Sequence, residues 1–227
     1  MTRPGTIEAC VFDAYGTLFD VTAAAARCRD DLAGHADALA ELWRTKQLQY
    51  TWLRSLMGHY VDFRQVTGDA LDYALETLGI ATPALRERLM ALYMELDAYP
   101  EVPEMLRALR AAGLRTGILS NGSPDMLDAA VGSAGIAGLL DAVLSVDDLG
   151  IYKPDPRVYR LATERFGLPA ERIAFMSSNA WDAHAAASNG MQVYWINRFG
   201  QRPERLPGKP VAELRSLAGL PAALGVG

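Results

Sequence analysis

VFDAYGTLFD, residues 11–20, runs apolar residues directly into an aspartate, Asp13. A buried strand that ends on an acid is costly unless the carboxylate is hydrogen-bonded or used. Gly16 and Thr17 follow and supply a flexible turn with a hydroxyl near that carboxylate. A local turn that satisfies backbone amides is one interpretation of Asp13, and a functional carboxylate is the other. The rest of the chain has to distinguish them.

Short β-rich apolar runs recur along the chain and predict strands at 7–12, 116–119, 142–146, 173–176 and 193–196. Helix-like segments separate the last four runs, and Ser123-Pro124 and Asp155-Pro156 are typical helix starts. This alternation predicts an α/β fold with a doubly wound, mostly parallel sheet and helices on both faces. Ligands of such sheets bind beyond the carboxyl ends of the strands.

Residues 21–96 interrupt this pattern and predict a helical insertion after the first strand. Apolar residues recur at helical spacing over 22–32, 36–57, 67–79 and 82–96. We therefore expect a helical cap domain at 21–96 and a core domain formed by 1–20 and 97–227. The proline-containing segment 97–106 is expected to be the return hinge, and 211–220 a short final helix.

Composition and charge restrict the partners. The 227 residues carry a formal net charge of -5 without a long basic run, which argues against nucleic acid and favours a small metabolite. The N-terminal residues lack the apolar region of a signal peptide, and no apolar stretch reaches the ~20 residues that span a bilayer. We expect no membrane association. Cys10 and Cys28 indicate reduced thiols and a cytoplasmic protein.

Polar residues follow the predicted strands near the edge where Asp13 should lie. Ser120 and Asn121 end the second run, and Ser177, Asn179 and Asp182 follow the fourth. Each cluster alone is typical of helix capping. The carboxyl ends of parallel strands meet at one edge of a sheet, however, so these groups should surround Asp13. Their agreement favours the functional interpretation.

Two further residues could join this group. Lys153 precedes a proline in a loop, where a lysine is normally solvated, but its ammonium could lie beside Asp13. An adjacent cation would keep a buried carboxylate ionised. Tyr159 lies early in the next helix and could face the same way, although a tyrosine there is also typical of a core.

The segments DAYGT (13–17), SNG (120–122), KP (153–154) and SSNAWD (177–182) together resemble the motifs of the haloacid dehalogenase superfamily. The resemblance covers essentially the whole chain. More narrowly, the sequence resembles the metal-independent (S)-2-haloacid dehalogenases.

Position 15 separates this group from its relatives. The magnesium phosphatases of the superfamily resemble one another in an Asp-x-Asp first motif and an Asp-rich fourth motif. This chain has Tyr15 and Ser178 at the corresponding positions, a thin set of oxygens for a hard cation. We therefore expect neither metal nor cofactor. A magnesium-dependent small-molecule phosphatase is the alternative, and a non-enzymatic binding protein on the same scaffold is a third possibility.

The resemblance implies a two-step reaction on a short (S)-2-haloalkanoic acid. Asp13 attacks C2 in line, inverts that carbon and forms an ester while the halide leaves. Water then attacks the ester carbonyl carbon, which releases an (R)-2-hydroxyalkanoic acid and restores Asp13.

The resemblance also implies a role for each matching position. Thr17, Ser177 and Asn179 orient Asp13 and water. Lys153 and Asp182 tune the nucleophile and help to activate water, and the sequence leaves open which of the two does which. The residues expected to contact the substrate carboxylate, the halide or the alkyl group are Ala14, Tyr15, Arg44, Leu48, Phe63, Ser120, Asn121, Tyr159 and Trp181. Ser120 and the backbone at Ala14-Tyr15 and Asn121 would hold the carboxylate, and Arg44 with Asn121 the halide.

These substrate contacts have ordinary alternatives. Without the resemblance, Arg44 would be a solvated helix arginine, and the aromatic residues would be core. The resemblance further suggests a homodimer.

Overall fold

The computed structural model describes residues 6–21, 32, 34–94 and 96–226. Within them, strands form one parallel six-stranded sheet in the order β3-β2-β1-β4-β5-β6. These strands are β1 (Ala9–Phe12), β2 (Arg115–Ser120), β3 (Ala142–Ser145), β4 (Ile173–Ser177), β5 (Gln192–Ile196) and β6 (Ala212–Leu214). The predicted α/β class and the parallel sheet are confirmed.

Strand β1 occupies an interior position of the sheet and determines where Asp13 lies. Its residues Ala9–Phe12 are fully buried, as expected for a strand covered on both faces. Phe12 is in register with Ile118 of β2 and Met176 of β4, so the three strands end at the same edge, within two residues of one another. Asp13 continues the ladder, because its N–H donates to the Met176 carbonyl at 2.8 Å.

Helices surround the sheet. They are α1 (Ala36–Met57), α2 (Phe63–Leu78), α3 (Pro83–Met94), α4 (Val102–Ala111), α5 (Pro124–Ser133), α6 (Pro156–Phe166), α7 (Ala180–Ser188) and α8 (Leu220–Ala223). Helices α1, α2 and α3 lie between β1 and β2 in the chain, and we call them the inserted helices. Among the described helices, none combines the length and apolar character needed to cross a membrane.

The inserted helices match their predicted positions in part. Helix α1 has the predicted bounds, but α2 begins four residues before 67, because the Asp62 carboxylate caps it by accepting from the Gln65 N–H at 2.8 Å. The predicted helix at 22–32 falls almost entirely outside the described residues, as does Cys28. Cys10 is a free thiol in β1, and burial raises its pKa to about 12.

Two predictions were wrong at the boundaries. The expected hinge at 97–106 is shorter, because α4 begins at Val102 and accommodates Pro103 in its first turn, where a missing N–H costs little. The tail at 211–220 is not one helix. Ala212–Leu214 pairs with Tyr194–Ile196 as edge strand β6, and the short helix follows at Leu220. Three strand residues are too few to show an alternating pattern.

Candidate active site

Asp13 is held by side chains from distant parts of the chain. Its carboxylate is largely buried, at 6% exposed. Oδ2 accepts hydrogen bonds from Asn179 Nδ2 at 2.9 Å, Thr17 Oγ1 at 3.2 Å and, more weakly, Ser177 Oγ at 3.5 Å. Oδ1 accepts from Lys153 Nζ at 3.1 Å. A purely local turn does not require partners 140 or more residues away, so the geometry favours the functional interpretation.

Lys153 bridges two buried carboxylates. Its ammonium lies 3.1 Å from Asp13 Oδ1 and 3.0 Å from Asp182 Oδ2, and Asp182 Oδ1 accepts from the Tyr159 hydroxyl at 2.6 Å. The ammonium also lies 4.9 Å from the centre of the Phe175 ring. The predicted proximity of Lys153 to Asp13 is therefore observed, and Tyr159 points into the same cluster through Asp182.

Burial and charge act in opposite directions on this cluster. Burial alone would lower the pKa of Lys153, but the charges of Asp13 and Asp182 outweigh it and raise that pKa above the ordinary 10.5. Burial raises the pKa of Asp182, and the Lys153 ammonium opposes this rise only in part. One ammonium faces two carboxylates, so Lys153 stays charged, and Asp182 binds a proton more readily than an exposed aspartate does.

The end of β2 contributes a second set of polar groups. The Ser120 hydroxyl is fully buried and accepts from the Gly122 N–H at 3.1 Å. Asn121 Oδ1 accepts from the backbone N–H of Lys153 at 3.0 Å, which holds the backbone at Lys153 in place. A Cβ at Gly122 would lie 2.7 Å from Cε2 of Tyr15, so only glycine allows this turn to approach the Tyr15 ring.

Arg44 reaches the site from α1. Its Nη2 donates to Asn179 Oδ1 at 3.0 Å, and its Nη1 donates to Gln47 Oε1 at 2.7 Å. The side-chain amide of Asn179 therefore joins Arg44 to Asp13. The hydrogen bonds of Arg44 go to Asn179 and Gln47, and its expected role with Asn121 toward a halide stays a prediction.

Aromatic side chains form a wall around Tyr15. Tyr15 stacks on Tyr93 at 5.6 Å between ring centroids and contacts Phe63 at 5.7 Å. The Tyr15 hydroxyl is buried and has no hydrogen-bond partner among the described residues. Leu48 follows Arg44 by one helical turn on α1, which puts both on one face of that helix.

The remaining predicted positions are also located. The Ala14 carbonyl accepts from Leu18 and Phe19 N–H and closes the turn after Asp13. Trp181 is the second residue of α7, beside Asp182, and its ring makes an edge contact with that of Trp52 at 5.5 Å between centroids.

Three residues near the site escaped the sequence prediction. Gln47 and Tyr93 are buried beside Arg44, and a glutamine three residues after an arginine on the same helix was the available signal for the first. Arg198 Nη2 donates to the Thr17 carbonyl at 2.9 Å and Nη1 to Glu101 Oε1 at 2.7 Å. It therefore supports the Asp13 turn from behind, and nothing in its sequence context indicated this.

The donor set does not resemble a cation site. In the described part of the chain, no group of three or more His, Cys, Asp and Glu side chains lies close enough to hold a metal ion. The cationic partner of the Asp13–Asp182 pair is the Lys153 ammonium. Tyr15, in place of a second acid, contributes an aromatic ring.

The parallel sheet with inserted helices, and the buried aspartate paired with a lysine at the strand ends, agree with one family of known hydrolases. The profile of the haloacid dehalogenase-like hydrolases matches residues 7–190, and the chain belongs to that family.

Within the family, the chain is similar to several (S)-2-haloacid dehalogenases. It is 46% identical over 213 residues to an (S)-2-haloacid dehalogenase from Pseudomonas fluorescens, covering 93% of this chain and 94% of that protein. It is 48% identical over 200 residues to (S)-2-haloacid dehalogenase 4A from Burkholderia cepacia, covering 88% and 87%.

A solved structure extends this similarity. L-2-haloacid dehalogenase from Xanthobacter autotrophicus, with chloropropionic acid covalently bound, superposes with a TM-score of 0.90 at 36% identity, covering 96% of this chain and 98% of that one.

Proposed function

We propose that this enzyme hydrolyses short (S)-2-haloalkanoic acids to (R)-2-hydroxyalkanoic acids through an ester on Asp13, with inversion at C2. The observation that carries the proposal is the buried Asp13 carboxylate beside an ammonium, in a site where Arg44 is directed by neutral acceptors. The similarity to (S)-2-haloacid dehalogenases over most of the chain supports it, as does the covalently bound chloropropionic acid in the Xanthobacter enzyme.

In the first step a carboxylate oxygen of Asp13 forms a bond to C2, and the carbon–halogen bond breaks on the opposite side. The halide leaves with the bonding electrons toward Arg44 and Asn121. Thr17, Ser177 and Asn179 hold Asp13 in the attacking orientation through their hydrogen bonds. The product of this step is a neutral ester at Asp13, formed without a metal or cofactor.

In the second step water adds to the ester carbonyl carbon. We assign its proton to Asp182, because burial makes that carboxylate the readier acceptor. Lys153 lies 3.1 Å from Asp13 Oδ1 and would stabilise the negative charge that develops on that oxygen. The C2–oxygen group then leaves as the alcohol with the proton that Asp182 returns to it, and Asp13 becomes a carboxylate again when the second proton of the water is released to solvent. Tyr159 keeps Asp182 in place.

The substrate would be held by polar groups at its carboxylate and by apolar groups at its alkyl end. Ser120 and backbone amides at Ala14-Tyr15 and Asn121 would bind its carboxylate at the strand ends. Its alkyl group would lie against the apolar wall, to which we assign Tyr15, Leu48, Phe63 and Trp181. The wall keeps bulk water from the nucleophile and strengthens the electrostatic interactions inside.

The decisive experiment is halide release from (S)-2-chloropropionate in the presence of a chelator. Release of chloride with formation of (R)-lactate, and no reaction of the (R)-2-chloro enantiomer, would support the proposal. A phosphate ester panel with added magnesium tests the phosphatase alternative. Hydrolysis of those esters without halide release would overturn the assignment.

The pH dependence should follow Lys153. Its charged form is favoured in the folded protein, so its contribution is complete below the ordinary lysine pKa of 10.5 and is lost as the pH rises through the raised value. We therefore expect that kcat/KM for (S)-2-chloropropionate shows no alkaline decline centred below pH 10.5. A decline centred at lower pH would contradict the assignment of a charged, carboxylate-paired lysine.

We also propose that 21–96 form a cap domain over a core of 1–20 and 97–227, and that the enzyme is a cytoplasmic homodimer. A groove of about 850 Å³ runs beside the end of α1, and its apolar lining includes Trp52, Leu56 and Trp181. Leu56 is 85% exposed, and the indole N–H groups of Trp52 and Trp181 have no partner among the described residues. A second copy of this chain is the occupant that we propose.

The dimer can be tested by light scattering. We expect the mass of a dimer for the unmodified protein and of a monomer for Leu56→Glu, because a buried charge in an apolar interface is strongly unfavourable. Leu206→Glu changes an exposed residue at the rim of the groove, and we expect it to weaken the dimer less than Leu56→Glu does. A monomeric unmodified protein would exclude the dimer.

A further inference from the structure

Gln47 is a buried amide whose polar atoms all have partners. It lies in the middle of α1 and is 1% exposed. Its Oε1 accepts from Arg44 Nη1 at 2.7 Å. Its Nε2 donates to Thr67 Oγ1 at 2.7 Å and to the Tyr93 hydroxyl at 3.2 Å. A buried amide that is fully satisfied from three helices is held in one position.

The direction of this network follows from Thr67. The Thr67 hydroxyl donates its single hydrogen to the Phe63 carbonyl at 2.6 Å, so it can only accept from Gln47. Gln47 must therefore turn its NH₂ group toward Thr67 and its oxygen toward Arg44. The donor at Arg44 and the acceptor at Thr67 therefore allow only one orientation of the Gln47 amide.

Both acceptors of Arg44 are neutral. Its guanidinium donates to the amide oxygens of Gln47 and Asn179. Over the ranges that the structure describes, no carboxylate forms an ion pair with Arg44. Neutral acceptors orient a cation without neutralising its charge. A carboxylate in the same place would orient the cation and also neutralise it. The positive charge is thereby left for an anion in the site.

We propose that Gln47 is a positioning residue that aims the Arg44 guanidinium and preserves its charge for the departing halide. The proposal rests on the proposed function and deepens it. Gln47 acts through Arg44, and α2 and α3 take part through Thr67 and Tyr93. The side chain of residue 47 should then matter most when the halide is a poor leaving group.

The test uses one isosteric change. Gln47→Glu keeps the shape but places a carboxylate against Arg44. We expect kcat/KM to fall at least tenfold for (S)-2-chloropropionate, less for the bromo acid and least for the iodo acid, because the poorer leaving group needs more stabilisation of its developing charge. The ratio kcat/KM reports ester formation even when ester hydrolysis limits kcat.

Two other variants frame the result. Gln49→Glu makes the same change two residues further along α1 and should leave kcat/KM unchanged for the chloro, bromo and iodo acids. Thr67→Val removes the acceptor that orients the Gln47 amide, introduces no charge, and should reproduce the same order of losses at smaller size. It keeps the proposal testable if Gln47→Glu does not fold, which circular dichroism will show.

A binding measurement separates this proposal from the function itself. Bromide binding to the protein without substrate, measured by calorimetry, should be weaker in Gln47→Glu by a factor similar to the loss with the chloro acid. Weaker binding would support the positioning role even if the unmodified enzyme dehalogenated none of the acids. Equal losses for all three halides together with unchanged bromide binding would overturn it.

Discussion

Asp13→Asn is expected to abolish halide release, with a loss on the order of 10⁴-fold in kcat. Asparagine matches aspartate in volume, so the strand end and the turn at Gly16 should persist. The amide is a poor nucleophile, however, and it replaces one of two acceptor oxygens with a donor. That donor would face either the Lys153 ammonium or the hydroxyl and amide groups of Thr17 and Asn179. The loss should therefore appear in ester formation.

Two measurements check this prediction. Halide release gives the rate, and a single turnover of the unmodified enzyme in isotopically labelled water should place the label in Asp13 and leave the first product unlabelled. Asp72→Asn is the matched control, because Asp72 lies in an exposed ion pair with Arg86 that contributes little. Full activity in Asp13→Asn, or label in the first product, would exclude Asp13 as the nucleophile.

Lys153→Met should impair both activity and folding. The lysine is 2% exposed and is paired with two carboxylates, so its removal leaves Asp13 and Asp182 buried without a counter-charge. Breaking a buried ion pair in this way costs about 3–5 kcal/mol of unfolding free energy. We expect activity to fall at least about 10²-fold, since in the proposed mechanism the ammonium stabilises the negative charge that develops on the ester carbonyl oxygen.

Urea unfolding and halide release measure the two effects. Without the ammonium, the carboxylates bind protons more readily when folded than when unfolded, so the variant should regain stability as the pH falls. Lys209→Met, a change of an exposed lysine, should alter neither quantity. Unchanged stability in Lys153→Met would show that the carboxylates do not depend on the lysine.

The position of Asp13 and its partners could be predicted because parallel strands end at one edge. Apolar runs located the strands, and each polar residue that followed a run had to project at that edge. Ser177 and Asn179 are separated from Asp13 by 164 and 166 residues, yet the ends of parallel strands bring them together. Lys153 lies in a loop beyond its strand, so the same rule left open whether it is solvated or beside Asp13. The distinction between phosphate and haloacid chemistry at Tyr15 came from the resemblance and not from the rule.

The contacts of the inserted helices could not be predicted in the same way. Helical spacing located α1 with its bounds, but it did not state which face meets Asp13 or which residue holds Arg44. Gln47 shares its face with Arg44, and only the packing of α2 and α3 shows that Thr67 and Tyr93 complete the network. Strand β6 was missed because a three-residue edge strand leaves no periodicity to detect.

The hydrogen bonds of the Asp13 carboxylate have a practical meaning for directed evolution. Those that the described residues form come from outside the inserted helices, whereas Leu48 and Phe63, which we assign to the apolar wall, lie on α1 and α2. Saturation mutagenesis at those two positions can therefore reshape the pocket for larger substituents without altering any atom hydrogen-bonded to the nucleophile. Substrate range and reactivity are then adjustable in separate libraries.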